Sequence, residues 1–288
     1  MVYLDQLKAS LVGTARYFKL DCLKKSEFLH DRAVLAHTRR GRVVLKLHRP
    51  GFQTQKSLSM RIHIQFDLHK LGMPCPRPLI GEKGFVLALP DMLITAYEYV
   101  YSSITDMTIQ ETAKSLGLIL AKLHNMQTHI LVPRELSSCC NDQLLKSEKK
   151  EERIMFGPGE GAMCNSHNEV KLSEDSIADR NLELGLVHCD VHLGNIIQNP
   201  SGDNILLDFD LCHFGPLAED LGNTIFSLKQ KSLPKAEAQD RVLQAYCETR
   251  QIRKIDERAI SYFVKKKALV SQLWLSRKMF MPPRDGAS

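Results

Sequence analysis

The chain has 288 residues, 43% of them hydrophobic and 25% charged, which is typical of a soluble globular protein with room for a sizeable core. No apolar run approaches the ~20 residues that a membrane span needs, and an acid and a lysine interrupt the first residues, where a secretory signal is apolar. The eight cysteines are scattered without a CxxC pair, which favours reduced thiols. We therefore expect a cytoplasmic protein that does not enter a membrane, and the oligomeric state is open.

The net charge of +6 is unevenly distributed along the chain. Residues 1–100 carry 16 Lys and Arg against 8 Asp and Glu, whereas the remaining residues carry 23 against 25. A basic first part and a slightly acidic second part fit an anionic ligand held on one side, and they fit an ordinary solvated surface equally well. The distribution does not favour nucleic acid as a partner.

The first hundred residues are predicted to be mainly strands. AVLAHT and VVLKLH are two β-rich runs joined by a turn at Arg40 and Gly41, which predicts a hairpin. The segment SLSMRIHIQFDLHKLG has helical periodicity that stops at Gly72, before a run of prolines. GFVLALP and LITAYEYV predict two more strands. Residues 1–100 are therefore expected to form a first domain, a short antiparallel sheet with one helix.

Residues 101–288 are predicted to form a second, mainly helical domain, which makes the fold class α+β. In TIQETAKSLGLILAKLH the apolar residues recur at intervals of four and three, and Thr108 with Glu111 forms a capping box at the start. Residues 137–181 are polar and aperiodic, which favours short helices and loops. Amphipathic helices are expected from about Ala218 to Met281.

The stretch LVHCDVHLGNIIQNPSGDNILLDFDLCHFGP, residues 186–216, concentrates His, Asp and Asn between two apolar runs. Asp190, Asn195 and Asp208 offer hard oxygen ligands, which suit Mg2+ far better than zinc. The histidines of the stretch have spacings that match no closed zinc site. Mg2+ held by only one or two protein carboxylates usually takes phosphate oxygens as well. The stretch therefore indicates a site for a phosphate-bearing ligand and its metal.

The order H-x-D-x-x-x-x-N, followed by a hydrophobic strand that ends D-F-D, is the arrangement of a phosphoryl-transfer site. In such a site Asp190 accepts the proton of the attacking hydroxyl and Asn195 binds metal. Asp208, at the tip of the strand NILLDFD, binds the Mg2+ that bridges the ATP phosphates. The alternative is a turn-rich loop whose Asp and Asn side chains only cap backbone groups. Four positions in the right order, with the turn NPSGDN between them, favour the site.

Other residues are expected to support this site. His188, Asp210 and Asp220 are predicted to hold the loop structurally, with Asp220 at a helix start below it. A phosphoryl-transfer site also requires a lysine on an upstream strand, and VVLKLHRP offers Lys46. A buried lysine between apolar neighbours needs an anionic partner, and phosphate oxygens provide one.

Five blocks of the chain carry a family resemblance: VLKLHRPGFQT, LGMPCPRPL, LGLILAKLH, LVHCDVHLGNII and LLDFDLCHFGPLAEDL. These blocks, between about residues 25 and 225, resemble the aminoglycoside phosphotransferase family, which includes homoserine, choline and stress-response kinases. The resemblance implies a protein-kinase-like fold of two lobes, with ATP held between a β-rich N-lobe and a helical C-lobe. It also implies that Lys46 holds the α- and β-phosphates, while a hinge near Glu98, Tyr99 and Val100 presents backbone groups to adenine.

The chain departs from the family pattern at three positions. Cys189 replaces the usual glycine of the catalytic loop, and Leu193 replaces the usual proline or alanine. The family also has a Glu on the helix after the lysine, and our pairing puts Arg61 in its place. No Asp or Glu occurs between Lys46 and Asp67. Three explanations are open: the helix is shifted, Asp67 substitutes for the Glu, or Arg61 itself contacts phosphate.

Three functions are compatible with this pattern. The leading hypothesis is an ATP- and Mg2+-dependent phosphotransferase that acts on a hydroxyl of a small molecule. The second is a protein Ser/Thr kinase of the stress-response type. The third is a catalytically impaired kinase fold that binds a nucleotide or a partner; the missing Glu favours it, whereas the intact Asp190, Asn195 and Asp208 oppose it. The sequence does not identify the acceptor.

Overall fold

The structure, a computed structural model, describes the larger part of the chain: residues 11–20, 25–30, 32–39, 41–48, 53–102, 107–126, 130, 132–136, 181–230, 234–250 and 257–280. Residues 137–180, nearly all of the segment predicted to form short helices and loops, lie outside the described residues. The described residues fall into two compact units. The first contains those before residue 105 together with residues 197–210, and the second contains all the others. The domain boundary near residue 100 stays a prediction.

The first unit is built on a five-stranded antiparallel sheet with the strand order β1-β2-β3-β5-β4. Its strands are β1 (Lys25–His30), β2 (Ala33–Thr38), β3 (Gly41–His48), β4 (Val86–Leu89) and β5 (Met92–Glu98). The predicted β2–β3 hairpin is confirmed, as are the two later strands. Strand β1 is not predicted from the sequence. Its apolar residues Phe28 and Leu29 are adjacent and are 42% and 49% exposed, so they lack the alternation of apolar and polar residues that indicates a half-buried strand.

The two faces of the sheet carry separate apolar clusters. The first cluster packs beside helix α1 (residues 11–17) and comprises Phe18, Val34, Ala36, Val43, Leu45, Leu47, Met92, Ile94 and Ala96. The second includes one face of helix α2 (Gln55–Lys70) and comprises Leu58, Ile62, Phe66, Phe85, Val86, Leu93 and Tyr97, with Val44 packed against it. Because side chains alternate along a strand, Lys46 shares the face of Val44, on which α2 packs.

Helix α2 confirms the helix predicted between the strand pairs. At its start the hydroxyl of Thr54 accepts the N–H of Ser57, and the hydroxyl of Ser57 accepts the N–H of Thr54, which forms a capping box. The chain leaves the helix through Gly72, whose φ of 88° lies in the left-handed region that glycine adopts without strain. The predicted stop at this glycine is therefore confirmed.

The second unit is mainly helical. Its helices are α3 (Ile109–Met126), α4 (Ala218–Lys229), α5 (Lys235–Thr249) and α6 (Glu257–Phe280), and its strands β6 (Leu184–Val187) and β9 (His213–Pro216) pair antiparallel. The predicted capping box of α3 is confirmed: the Glu111 carboxylate accepts the N–H of Thr108 at 2.8 Å, and the Thr108 hydroxyl accepts the N–H of Glu111 at 3.2 Å. Sheet and helices together confirm the α+β class. None of the described helices has the length and apolar character needed to cross a membrane.

Strands β7 (Ile196–Gln198) and β8 (Asn204–Leu206) form the hairpin predicted around NPSGDN. The strand prediction for NILLDFD is wrong at its end, because β8 stops two residues before Asp208. Asp208 has a φ of 64°, a left-handed backbone that cannot continue a strand, and a single 3-10 turn, Phe209–Leu211, follows it. The D-F-D residues therefore lie on a bend after the strand.

Candidate active site

The loop that carries Asp190 follows strand β6. Cys189, the preceding residue, has a φ of 70°, in the left-handed region where glycine is favoured, which accounts for the glycine of the family pattern. A side chain held in this conformation stores strain on the order of 1–3 kcal/mol. The Cys189 side chain is fully buried in a cluster with Val187 and Leu217. The core of the second unit thus accommodates the thiol that replaces the glycine hydrogen.

The carboxylate of Asp190 is held at both oxygens. Its Oδ1 lies 3.2 Å from Nζ of Lys267, and its Oδ2 accepts a hydrogen bond of 3.2 Å from Nδ2 of Asn195. His192 Nε2 lies 3.5 Å from Oδ2. Burial pushes the pKa of Asp190 upward, but the hydrogen bond from His192 and the charge of Lys267 hold it well below its ordinary value. Asp190 is therefore an ionised, oriented hydrogen-bond acceptor at neutral pH.

Asn195 is positioned by a short turn. Residues Leu193–Asn195 form a 3-10 turn, at whose start His192 Nδ1 accepts the N–H of Gly194 at 2.9 Å. The amide nitrogen of Asn195 also donates to the backbone oxygen of Asp190 at 2.9 Å. Since the nitrogen is engaged with Asp190, the amide oxygen remains to act as a ligand. The leucine at position 193 starts this turn without a proline.

Asp220, in the first turn of α4, braces the loop from inside the second unit. Its carboxylate is fully buried and accepts the backbone N–H of His188 at 2.8 Å and of Cys189 at 2.7 Å. His124 Nε2 lies 3.1 Å from the same carboxylate, and His124 Nδ1 lies 2.7 Å from the hydroxyl of Tyr246. Burial raises the pKa of Asp220, but the hydrogen bond and charge of His124 outweigh burial and lower it. A chain of polar contacts from α5 and α3 thus fixes the loop.

Sequence reasoning does not identify His124, Tyr246 or Lys267 as part of this arrangement. They come from α3, α5 and α6, far from residues 186–216 in sequence. The only local signal is that His124 ends the apolar face of α3, where a buried histidine needs hydrogen-bond partners. For Lys267 the sequence holds no such signal, because it is one of three consecutive lysines.

In the first unit, Lys46 lies between two carboxylates of the D-F-D segment. Its Nζ is 2.6 Å from Asp208 Oδ1 and 2.6 Å from Asp210 Oδ2. His48, two residues along β3, also contacts Asp210, with Nδ1 3.2 Å from Oδ2. Burial alone would lower the pKa of Lys46, but the charges of Asp210 and Asp208 outweigh it and raise the pKa. Lys46 therefore stays charged although it is largely buried.

Helix α2 does not supply the carboxylate partner of Lys46. Asp67 pairs with His63 and Lys70 on its own helix, at 3.4 and 3.9 Å, and its side chain is 40% exposed. The hypothesis that Asp67 substitutes for the family Glu is therefore wrong. Arg61 is 5% exposed, so it does not point to solvent. Its contact with phosphate stays a prediction.

The oxygen atoms near Lys46 have the chemistry that Mg2+ prefers. Asp208 is one-third exposed, and Asp210 Oδ1 is buried without a hydrogen-bond partner among the described residues. These carboxylate oxygens are hard donors and fit a magnesium ion that also takes phosphate oxygens. Within the described part of the chain, no group of three or more His, Cys, Asp and Glu side chains could hold a metal ion by itself.

The expected hinge follows strand β5. The N–H of Glu98 donates to the backbone oxygen of Arg77 at 2.9 Å, and the N–H of Tyr99 donates to that of Arg42 at 3.2 Å. These two donors are therefore used within the first unit. The N–H of Val100 makes no hydrogen bond with the described residues, which leaves it as the donor of this segment that a ligand can use.

Several solved structures share this fold. An amicoumacin kinase, hAmiN, in complex with AMP-PNP, Ca2+ and Ami has a TM-score of 0.78 and 16% identity, over 97% of this chain and 88% of that chain. A microcompartment-associated aminopropanol kinase has a TM-score of 0.74 and 17% identity, over 96% of this chain and 91% of that one. The choline kinase LicA from Streptococcus pneumoniae has a TM-score of 0.68 and 17% identity, over 99% of this chain and 94% of that one. At such identities the likeness shows a shared, protein-kinase-like fold.

No curated protein sequence matches the chain significantly. The model of the phosphotransferase enzyme family (APH), however, matches residues 26–258. This span is most of the chain, and it includes Lys46, the Asp190 loop and the D-F-D segment. The family expected from the sequence blocks is confirmed: the chain belongs to the phosphotransferase enzyme family.

Proposed function

We propose that the protein transfers the γ-phosphate of ATP, with Mg2+, to a hydroxyl group of a small molecule. Membership of the phosphotransferase enzyme family gives the class of reaction. The observation that carries the proposal is the state of Asp190, a largely buried carboxylate that is ionised and held by three side chains. A loop that served only as a turn has no need of such a group.

Asp190 binds and orients the acceptor hydroxyl. Phosphoryl transfer passes through a loose transition state in which positioning and electrostatics dominate, so a weakly basic carboxylate suffices. The bond between the γ-phosphorus and the oxygen that bridges it to the β-phosphate breaks, and ADP leaves; the acceptor oxygen forms the new P–O bond, and its proton moves to Asp190. Asn195 keeps the carboxylate in place through its amide nitrogen and offers its amide oxygen to the metal.

Lys46 binds the α- and β-phosphates of the nucleotide. Its ammonium group is charged and held by Asp208 and Asp210. Asp208 would hold the magnesium ion, which would neutralise charge on the phosphates. The N–H of Val100 donates to adenine. Arg61 remains a second candidate for phosphate contact.

The similar structures support two parts of this proposal: the use of a nucleotide with a divalent metal, and a small-molecule acceptor. One of them contains AMP-PNP and Ca2+, which supports the use of a nucleotide and a divalent metal. The names of the others specify aminopropanol and choline kinases, which supports a small-molecule acceptor over a protein. The impaired-kinase alternative rests on the missing helix Glu, and the carboxylates around Lys46 weaken it.

The test combines binding with turnover. ATP with Mg2+ is expected to raise the melting temperature, because a ligand that binds only the folded state stabilises it. ATP consumption is then measured across a panel of hydroxyl compounds and a Ser/Thr peptide pool, with Asp190→Asn as the inactive control. A thermal shift without turnover on any acceptor contradicts the enzyme proposal, and turnover on peptides alone favours the protein kinase.

A further inference from the structure

We propose that Asp210, rather than an acid on helix α2, is the carboxylate that positions Lys46 for the nucleotide. The inference rests on the proposed function, since it concerns the lysine that binds the ATP phosphates. Protein kinases pair this lysine with a glutamate of the following helix. In this chain the helix contains no glutamate, and its only acid, Asp67, pairs within the helix.

The contacts of Asp210 are those of a positioning residue. Its Oδ2 lies 2.6 Å from Lys46 Nζ and 3.2 Å from His48 Nδ1. Lys46 and His48 are two residues apart on β3, so both side chains leave the same face of the strand. The other ring nitrogen of His48 lies 2.9 Å from the hydroxyl of Thr95, which fixes the ring. Asp210 is therefore held between two neighbouring side chains of one rigid strand.

The backbone of Asp210 is fixed as well. Its carbonyl oxygen accepts a hydrogen bond of 2.9 Å from Nε2 of Gln53, just before α2. Asp210 is 8% exposed, and in a site so poorly solvated its ion pair with Lys46 is screened much less than a surface pair. The carboxylate therefore has a single well-defined position.

Asp208 and Asp210 have different proposed roles. Asp208 is the more exposed of the two and is the proposed metal ligand, so its carboxylate would interact with the metal ion when Mg-ATP binds. Asp210 then remains as the partner of Lys46. Because the two acids are two residues apart, the metal ligand and the anchor of the lysine belong to one segment. Correct placement of Lys46 consequently depends on the D-F-D segment and not on the position of α2.

A double-mutant cycle tests this inference. The affinity for ADP is measured by calorimetry, with EDTA and with Mg2+, for the parent, Lys46→Met, Asp210→Asn and the double variant. We expect Asp210→Asn to weaken ADP binding roughly tenfold or more in both conditions, as loss of a charge-assisted contact does. In the Lys46→Met background the same change is expected to have little further effect, because Asp210 acts through Lys46. Asp210→Glu is expected to recover part of the affinity.

Asp67→Asn is the matched control, because it removes the one acid of α2, and it is expected to bind ADP like the parent. Parent-like ADP binding by Asp210→Asn overturns the inference, and so do losses that multiply in the double variant, since a purely structural residue gives that result. If Asp210→Asn does not fold, Asp210→Ser, which also removes the carboxylate, takes its place in the same cycle, with the same criterion. Absence of ADP binding in the parent refutes the proposed function instead.

Discussion

Lys267 of helix α6 donates to Oδ1 of Asp190 at 3.2 Å, so the last described helix places a cation on the loop with the proposed base. The Lys267 side chain is 17% exposed, and the Asp190 side chain is 26% exposed. A charge-assisted contact in such surroundings is stronger than one on an open surface. The contact therefore connects helix α6 to the proposed catalytic base.

We expect Lys267→Met to lower kcat roughly tenfold, the effect of losing a hydrogen bond to a charged group, and to leave ADP affinity unchanged. The physical reason is that Asp190 loses one of the contacts that orient it. Lys267→Arg should restore part of the rate. Lys265, two residues away and exposed, provides the control Lys265→Met, which should behave like the parent. A kcat of Lys267→Met equal to that of the parent would show that the contact has no part in turnover.

Asp208→Asn is expected to separate metal binding from nucleotide binding. The substitution removes the charge of the proposed metal ligand but leaves Asp210 with Lys46. ADP affinity in EDTA should therefore stay within about threefold of the parent, as expected for a partly exposed charge worth less than 1 kcal/mol. The gain in affinity that the parent shows on adding Mg2+ should disappear. Calorimetry in both conditions checks this, and an undiminished Mg2+ effect would show that the metal has other ligands.

The pKa of Asp220 lies below its ordinary value. This shift determines how the contribution of Asp220 to the free energy of unfolding changes with pH. An unfolded aspartate has a pKa of about 3.9, so below that pH the unfolded chain binds more protons than the folded one. The free energy of unfolding contributed by Asp220 is therefore present above about pH 4 and is lost as the pH falls through the folded pKa. Asp190 and Asp210 act in the same direction.

Asp220→Asn is expected to lower the free energy of unfolding at pH 7 by about 3 kcal/mol, since it leaves buried partners without their charge. Its remaining stability should also fall less steeply between pH 5 and pH 3 than that of the parent. Urea titrations at several pH values measure both effects. A variant with the stability and pH profile of the parent would mean that the buried contacts of Asp220 do not stabilise the fold.

Gly117 permits close packing of α3 against α5. A Cβ at this position would overlap the backbone oxygen of Val242 and lie 2.9 Å from Cβ of Ala245. We expect Gly117→Ala to lower the free energy of unfolding by roughly 1–3 kcal/mol, as overpacking does. A methyl group added at Gly13 in helix α1 would meet no atom within 4 Å, so Gly13→Ala should instead raise it by about 0.5–1 kcal/mol. Urea denaturation compares the two, and a neutral Gly117→Ala would contradict the close approach.

The features that follow from local sequence are those that could be predicted. The capping box of Thr108 and Glu111, the hairpin at Gly41 and the stop at Gly72 depend on neighbouring residues, and each is confirmed. The partners of Lys46 could not be predicted. Asp210 lies 164 positions after Lys46 in the sequence, and only tertiary packing brings it to β3. Lys267 reaches Asp190 in the same way.

The family pattern also points to the wrong element for the partner of Lys46. It directs attention to the helix after the lysine, where Arg61 stands, and so the missing glutamate counts against activity. The structure provides carboxylates from the D-F-D segment instead. A charge required at one point in space can be supplied from another element, and a residue pattern cannot show this.

Phosphorus NMR tests the central proposal most directly, because it follows the transferred group itself. The parent and Asp190→Asn are incubated with ATP, Mg2+ and the panel of small hydroxyl compounds. We predict that the γ-phosphate signal of ATP is replaced by a phosphate-ester signal with the parent and a responsive acceptor, and that no ester forms with Asp190→Asn. Ester formation by Asp190→Asn at the rate of the parent, or ADP and inorganic phosphate as the only products of the parent with every acceptor, would contradict it.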